Sequence, residues 1–136
     1  MTNFNQPRLL IADDSYDLLE ILKIFFKKKG YIVETVLDSA AIYGCISSFK
    51  PDVILLDIFL NGDDGRDVCR KIRSHTGANA LGIIIFSASP DLIKDYKACQ
   101  ADDYIEKPFD LDVITEKVAS LLSLTPLRKQ VIGGIQ

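Results

Sequence analysis

The chain has 136 residues, one domain's worth of sequence, since single domains cluster at roughly 100–150 residues. Apolar residues make up 48% and charged residues 26%, a globular balance that excludes disorder. Sixteen basic against nineteen acidic side chains give a formal charge of −3, which excludes a nucleic-acid binder that neutralises phosphates over its whole surface.

The first apolar run, Leu9-Leu10-Ile11-Ala12, is continuous rather than alternating, as a strand buried on both faces of a parallel sheet must be. Leu18, Ile21, Leu22 and Phe25 then follow the spacing of one helix face, and Gly30 supplies a left-handed stop. Tyr31 to Val36 is β-branched but carries a charge and a hydroxyl, which suits an edge strand. Asp38 or Ser39 caps a second helix burying Ile42, Cys45, Ile46 and Phe49, which ends before Pro51. Val53-Ile54-Leu55-Leu56 is another continuous strand, and Val68, Cys69 and Ile72 mark a third helix. Gly82-Ile83-Ile84-Ile85-Phe86 follows. Ser89-Pro90 reads as a cap with proline at the first position of a short helix through Leu92, Tyr96 and Cys99. After the weaker run Tyr104-Ile105, Asp110 caps a fifth helix with Leu111, Ile114, Val118, Leu121 and Leu122 inside and Pro126 beyond its end.

Strand and helix thus alternate five times, and right-handed crossovers make this an α/β fold: a parallel sheet with helices on both faces. No repeat, low-complexity stretch or linker precedes residue 125, so 1–124 reads as one domain and 125–136 as a short tail without an output domain. Cys45, Cys69 and Cys99 are an odd number at wide spacing beside a single His. That argues against a disulfide framework or a zinc site and for small apolar side chains in a reducing compartment. The N-terminus lacks a signal-peptide pattern, and no apolar run approaches the roughly 20 residues of a spanning helix. A soluble, cytoplasmic protein without membrane insertion is expected.

In a doubly wound sheet, ligands bind beyond the carboxyl ends of the strands. Here those ends carry Asp13-Asp14, Asp57, Ser87 and Lys107-Pro108. A lone acid there is usually a helix cap, but five chemical groups at one sheet edge point to a site. Crowded carboxylates need a positive partner, and Mg²⁺ suits them because it takes one or two carboxylates together with phosphate oxygens and waters. A carboxylate so placed can attack phosphorus and become an aspartyl phosphate, its charge shared with Lys107 and the Ser87 hydroxyl. Without a P-loop or G-x-G-x-x-G to hold a nucleotide, the phosphoryl donor comes from outside.

Asp13-Asp14, the stretch Asp57-Ile58-Phe59-Leu60 leading to Asp64-Gly65, Ser87-Ala88, and Asp102-Asp103-Tyr104-Ile105-Glu106-Lys107-Pro108-Phe109 resemble the receiver domain of two-component response regulators. The resemblance runs in order over about residues 7–123. It implies a flavodoxin-like five-stranded sheet of order 2-1-3-4-5. It makes Asp57 the phosphoacceptor, supplied by a histidine kinase or a phosphotransfer protein. Asp14, Asp57 and the backbone carbonyl of Phe59 are then direct Mg²⁺ ligands, with Asp13 acting through water. Lys107 pairs with the phosphoryl group and joins Pro108 by a cis bond. Ser87 and Tyr104 fall at the family's switch positions. In that account Ser87 moves toward the phosphoryl oxygens and Tyr104 turns inward, reshaping the helix 4/strand 5/helix 5 face for a downstream protein. The implied partners are proteins, with no direct nucleic acid.

Three departures stand out. Asn61 replaces the family's usual proline, and Asn61-Gly62 supplies a positive-φ turn instead. Gln100 replaces a usual glycine, and the interval from Ser87 to Lys107 is short, which predicts a truncated or irregular fourth helix. Phe59, two residues past the acceptor, is bulky and is expected to hinder water attack on an acyl phosphate. Lys27-Lys28-Lys29 reads as a solvated helix end, His75 as a surface residue, and Asp63 and Asp64 as loop acids without a metal role. Two other functions fit less well. A Mg²⁺-dependent phosphatase with an aspartate nucleophile commonly uses D-x-D and a cap domain, whereas strand 1 here ends in Asp-Asp-Ser. A phosphate-independent receiver-like interaction module would not need the complete acceptor set.

Overall fold

The computed structural model describes residues 6–75 and 80–134, with backbone alone for 125–134. In chain order its elements are β1 (Arg8–Ala12), α1 (Tyr16–Lys28), β2 (Ile32–Val36), α2 (Ser39–Phe49), β3 (Val53–Asp57), β4 (Phe59–Leu60) and β5 (Asp63–Asp64). They continue with α3 (Gly65–Arg73), β6 (Gly82–Ser87), α4 (Pro90–Ile93), β7 (Asp103–Glu106) and α5 (Leu111–Gly134). Five parallel strands form one sheet of order β2-β1-β3-β6-β7. This is the expected 2-1-3-4-5 once the small β4–β5 hairpin is set aside. The edge placement of β2 follows from its charge and hydroxyl, and the central strands β3 and β6 are buried at every position.

Side-chain alternation along the strands divides the core into two layers. Leu10, Ala12, Ile54, Leu56, Ile83 and Ile85 pack with Ile42 of α2, Val68, Cys69 and Ile72 of α3, and Ile93 of α4. Leu9, Ile11, Val53, Leu55, Ile84 and Phe86 face the other way, onto Leu19, Leu22 and Phe26 of α1 and Ile114, Val118 and Leu121 of α5. Asp38 caps α2 by accepting from the Ala41 N–H at 2.9 Å, as expected.

Several expectations need correction. The buried face of α1 is Leu19, Leu22 and Phe26, while Ile21 stands 58% exposed. Apolar residues nearly encircle this helix, so spacing alone leaves its phase open and packing on β1 and β2 sets it. Helix α4 ends at Ile93 rather than running to Cys99, truncated as the short interval from Ser87 to Lys107 predicts. Beyond it Tyr96, Ala98 and Gln100 each bond to the carbonyl three residues back, which makes turns instead of a helix. At its start, Ser89 makes no side-chain cap bond. Leu111 is exposed rather than inside. Helix α5 does not stop before Pro126; its backbone continues through it to Gly134, losing one amide donor there. The segment expected as a tail is therefore helical to Gly134, and 135–136 lie outside the described residues. Cys69 and Cys99 are buried as expected, but Cys45 is only partly so.

The hairpin has no counterpart in the apolar pattern. Phe59 pairs with Asp64 and Leu60 with Asp63, around Asn61 at φ 46° and Gly62 at φ 92°. Asn-Gly supplies the two positive-φ residues that a two-residue hairpin demands. Asn61 also donates from Nδ2 to the Leu37 carbonyl at 2.9 Å, tying the hairpin to the β2–α2 loop.

Candidate functional site

Parallel register carries the carboxyl ends of β1, β3, β6 and β7 to one edge of the sheet. Ala12 lies beside Leu56, Asp57 beside Phe86, and Ser87 beside Glu106. Asp13, Asp57, Ser87 and Lys107 therefore emerge together although they span most of the chain.

Asp13 is fully buried and Asp57 is 4% exposed, which is unusual for aspartates. Asp13 Oδ1 accepts from the Ser15 N–H at 2.8 Å, an Asx turn that leads into α1. Its other oxygen, Oδ2, accepts from Lys107 Nζ at 2.7 Å, and Asp57 Oδ2 lies 3.6 Å from the same nitrogen. Lys107 reaches inward across the Phe86 ring, 4.7 Å from its centroid, and its own N–H donates to the Ser87 carbonyl at 2.8 Å. The Lys107–Pro108 bond is cis, as expected. Burial pushes the Asp57 carboxyl up to about 7, and repulsion from Asp13 adds to this, with Lys107 and the Phe59 N–H opposing.

Asp14 is exposed, yet one carboxylate oxygen from each of Asp13, Asp14 and Asp57 lies within 4.8 Å of the others. No other such cluster occurs among the described residues. Three carboxylates against one ammonium leave an excess of two negative charges, which a hard divalent cation balances. The donor set fits such an ion. Asp63 and Asp64 are outside the cluster: the Ser39 hydroxyl donates to Asp63, and Asp64 forms an ion pair with Arg66 at 2.6 Å. They line instead a groove of about 470 Å³ between α2 and α3.

The remaining sequence-predicted residues surround this centre. Phe59 presents its ring outward, 58% exposed, while its N–H supports the Asp57 carboxylate. Ser87 is fully buried, and its Oγ accepts from the Ser89 N–H at 3.1 Å. Tyr104 is 37% exposed and lies 5.0 Å from the Tyr96 ring. Lys117 of α5 stands 4.6 Å over Tyr104 and donates to Asp103 at 3.1 Å and to the Tyr104 carbonyl at 2.5 Å. Sequence reasoning missed Lys117, because nothing in the spacing links α5 to the β7 edge. It also missed why glycine stands at 65. A Cβ there would overlap the Asp57 carbonyl oxygen and sit 2.9 Å from the Ile58 Cα. Lys27, Lys28, Lys29 and His75 are exposed, as expected.

The Response regulator receiver domain family model matches residues 9–119. The chain is 36% identical over 113 residues to the transcriptional regulatory protein YxdJ of Bacillus subtilis, covering 83% of this chain and 49% of that protein. It is 32% identical over 119 residues to the DNA-binding response regulator MtrA of Mycolicibacterium paratuberculosis, covering 86% of this chain and 52% of that protein. The chain thus spans about half the length of these relatives. Among solved structures, a two-component response regulator from Clostridium difficile aligns with a TM-score of 0.79 at 30% identity, covering 87% of this chain and 97% of that one. The receiver domain of the Francisella response regulator 1452 aligns with a TM-score of 0.80 at 27% identity, over 88% and 99% of the two chains.

The relatives' names overturn the expectation of no direct nucleic acid. The formal charge of −3 belongs to this chain alone, whereas the match covers about half of proteins named for DNA binding and transcriptional regulation. Among the described residues, no helix is long and apolar enough to cross a membrane. The match across most of the chain, with the same sheet and the acidic cluster at its edge, establishes that this chain belongs to the response regulator receiver domain family, whose members are signalling proteins.

Proposed function

We propose that the chain is a phosphoacceptor switch in the cytoplasm, taking a phosphoryl group on Asp57 from a histidine kinase or phosphotransfer protein. The observation that carries the reading is the convergence of Asp13, Asp14, Asp57 and Lys107 at one sheet edge, with Lys107 Nζ within 3.6 Å of the Asp57 carboxylate. Asp57 ends a rigid, fully buried strand, so its carboxylate is held in place for attack. The attack forms a bond from its oxygen to phosphorus as the bond to the donor's leaving group breaks. Lys107, leaning on Asp13 beforehand, neutralises the phosphoryl oxygens, and the Ser87 hydroxyl donates to them. Asp13, Asp14, Asp57 and the Phe59 carbonyl would hold Mg²⁺, which when bound offsets the charge of carboxylates and phosphoryl group.

Ser87 and Tyr104 transmit the change. When the hydroxyl turns toward the phosphoryl group, the Tyr104 ring leaves its seat between Tyr96 and Lys117 and turns inward. The α4–β7–α5 face that results is the surface read by a downstream partner. The names of YxdJ and MtrA carry nucleic acid into that output, so we read the switch as one that governs a DNA-binding module.

The test is transfer of labelled phosphate from a small acyl phosphate donor with Mg²⁺, comparing the chain with Asp57→Asn. Stable, stoichiometric labelling that the variant lacks is the expected result. Rapid multiple turnover would mark a phosphatase, and no labelling a phosphate-independent interaction module.

A further inference from the structure

We propose that Cys69 and Cys99 are a peroxide-sensitive thiol pair that oxidises to an intramolecular disulfide joining α3 to the turn segment before β7. Both side chains are fully buried and meet across the packing of these two segments. Cys69 Sγ donates to the Cys99 carbonyl at 3.1 Å and Cys99 Sγ donates to the Tyr96 carbonyl at 3.2 Å, so the two thiols are neighbours in the core. Cys45 lies on α2, partly exposed, and takes no part in this contact.

The two partners sit on different kinds of backbone. Cys69 sits on a helix, whereas Cys99 sits among turns held by the bonds of Ala98 to Asp95 at 2.9 Å and Gln100 to Lys97 at 3.0 Å and tied to α3 by Arg73 Nε on the Gln100 carbonyl at 2.8 Å. The next residue, Gln100, is held at φ 69°, a left-handed conformation that a side chain disfavours. Local opening of this segment is the route by which a small oxidant reaches Cys99. The chemistry is also polarised. The neighbouring Cys69 thiol lowers the pKa of Cys99 against its burial, with help from the Ala101 N–H and the Arg70 charge. The same contact and burial push Cys69 up, so Cys99 is the nucleophile and Cys69 the resolving thiol.

The Cys99 thiolate attacks one oxygen of hydrogen peroxide; the O–O bond breaks and hydroxide leaves, giving a sulfenic acid. The Cys69 sulfur, surrendering its proton, then attacks the Cys99 sulfur, the S–O bond breaks, and a second hydroxide leaves. With the two thiol protons these become two waters. Two thiols lose two electrons, and one peroxide is reduced. No step depends on phosphoryl transfer.

The experiment treats the native, fully reduced chain with hydrogen peroxide, removes the excess with catalase, then counts thiols in denaturant and maps linked peptides by mass spectrometry. The three thiols are expected to fall to one, assigned to Cys45, with a Cys69–Cys99 peptide that reductant splits. In Cys69→Ser, checked for folding by circular dichroism, Cys99 is expected to stop at a sulfenic acid that dimedone traps. Cys69→Ala serves the same purpose should serine in the core unfold the chain. Three thiols surviving peroxide, a link through Cys45 or between chains, or oxidation of Cys99 to the sulfinic acid without a link would each overturn the proposal.

Discussion

Phe59 and Gln100 mark two positions where one side chain sets a property of the whole domain. The Phe59 side chain stands 58% exposed, two residues past the acceptor whose carboxylate its own N–H supports. An apolar ring there denies the attacking water a hydrogen-bond partner. Phe59→Asn is therefore expected to shorten the acyl phosphate lifetime by a factor of about 3–10, roughly 1 kcal/mol of barrier. Loss of label followed after donor removal measures this, and an unchanged lifetime would refute the role. Gln100 carries a different cost. It holds φ 69°, which glycine adopts freely and an L side chain does not. Its side chain is exposed, and the bond from Arg73 Nε goes to its carbonyl at 2.8 Å, which glycine retains. Gln100→Gly is expected to raise unfolding stability by about 0.5–1 kcal/mol, read from urea denaturation. The sequence flags Gln100 as a departure; only the backbone angle says what the departure costs.

At the scale of elements, α3 couples stability to the site. Gly65 opens this helix against β3, and its N–H donates to the Ile58 carbonyl at 2.7 Å. Gly65→Ala would drive a methyl into the backbone that carries Asp57, so overpacking of about 2 kcal/mol is expected. Because that backbone must shift, phosphoryl uptake falls as well, and labelling rate with denaturation separates the two effects. Asp64 caps the same helix by accepting from the Arg66 N–H at 2.8 Å. The hydrogen-bonded Arg66 guanidinium holds the Asp64 carboxyl below the usual carboxylate range. A depressed folded-state pKa stabilises the native state fully above the unfolded pKa, near 4, and the gain disappears as pH falls through the folded value. Asparagine keeps the cap and removes the charge. Asp64→Asn should thus cost about 0.5–1 kcal/mol at neutral pH, discounted for partial exposure, and nothing at the lowest pH where the protein stays folded. Unlike the β4–β5 hairpin, the five strands of the main sheet and the five helices were legible from apolar runs and caps. Their extents were less so: the turns after α4 and the continuation of α5 past Pro126 depend on backbone bonds that apolar spacing does not encode.

Across the whole molecule, the site was more legible than the helices around it. Short continuous apolar runs alternating with helical patterns read as buried parallel strands, and parallel strands with right-handed crossovers put all their carboxyl ends on one side. The polar residues that end those runs, Asp13, Asp57, Ser87 and Lys107, are therefore neighbours by topology. What topology does not give is charge balance. Three carboxylates share one lysine, so the folded state carries repulsion that the unfolded chain relaxes. A divalent cation that binds only the folded site removes it. At tenfold excess over its dissociation constant, Mg²⁺ should add about 1.4 kcal/mol and raise the melting midpoint by roughly 4–6 °C. Asp14→Asn should abolish that rise and lift the metal-free midpoint slightly, because it removes one of three mutually repelling charges at an exposed position. Sodium chloride at matched ionic strength separates binding from screening. A rise equal in the variant, or equal with sodium, would mean that the carboxylates meet without forming a metal site.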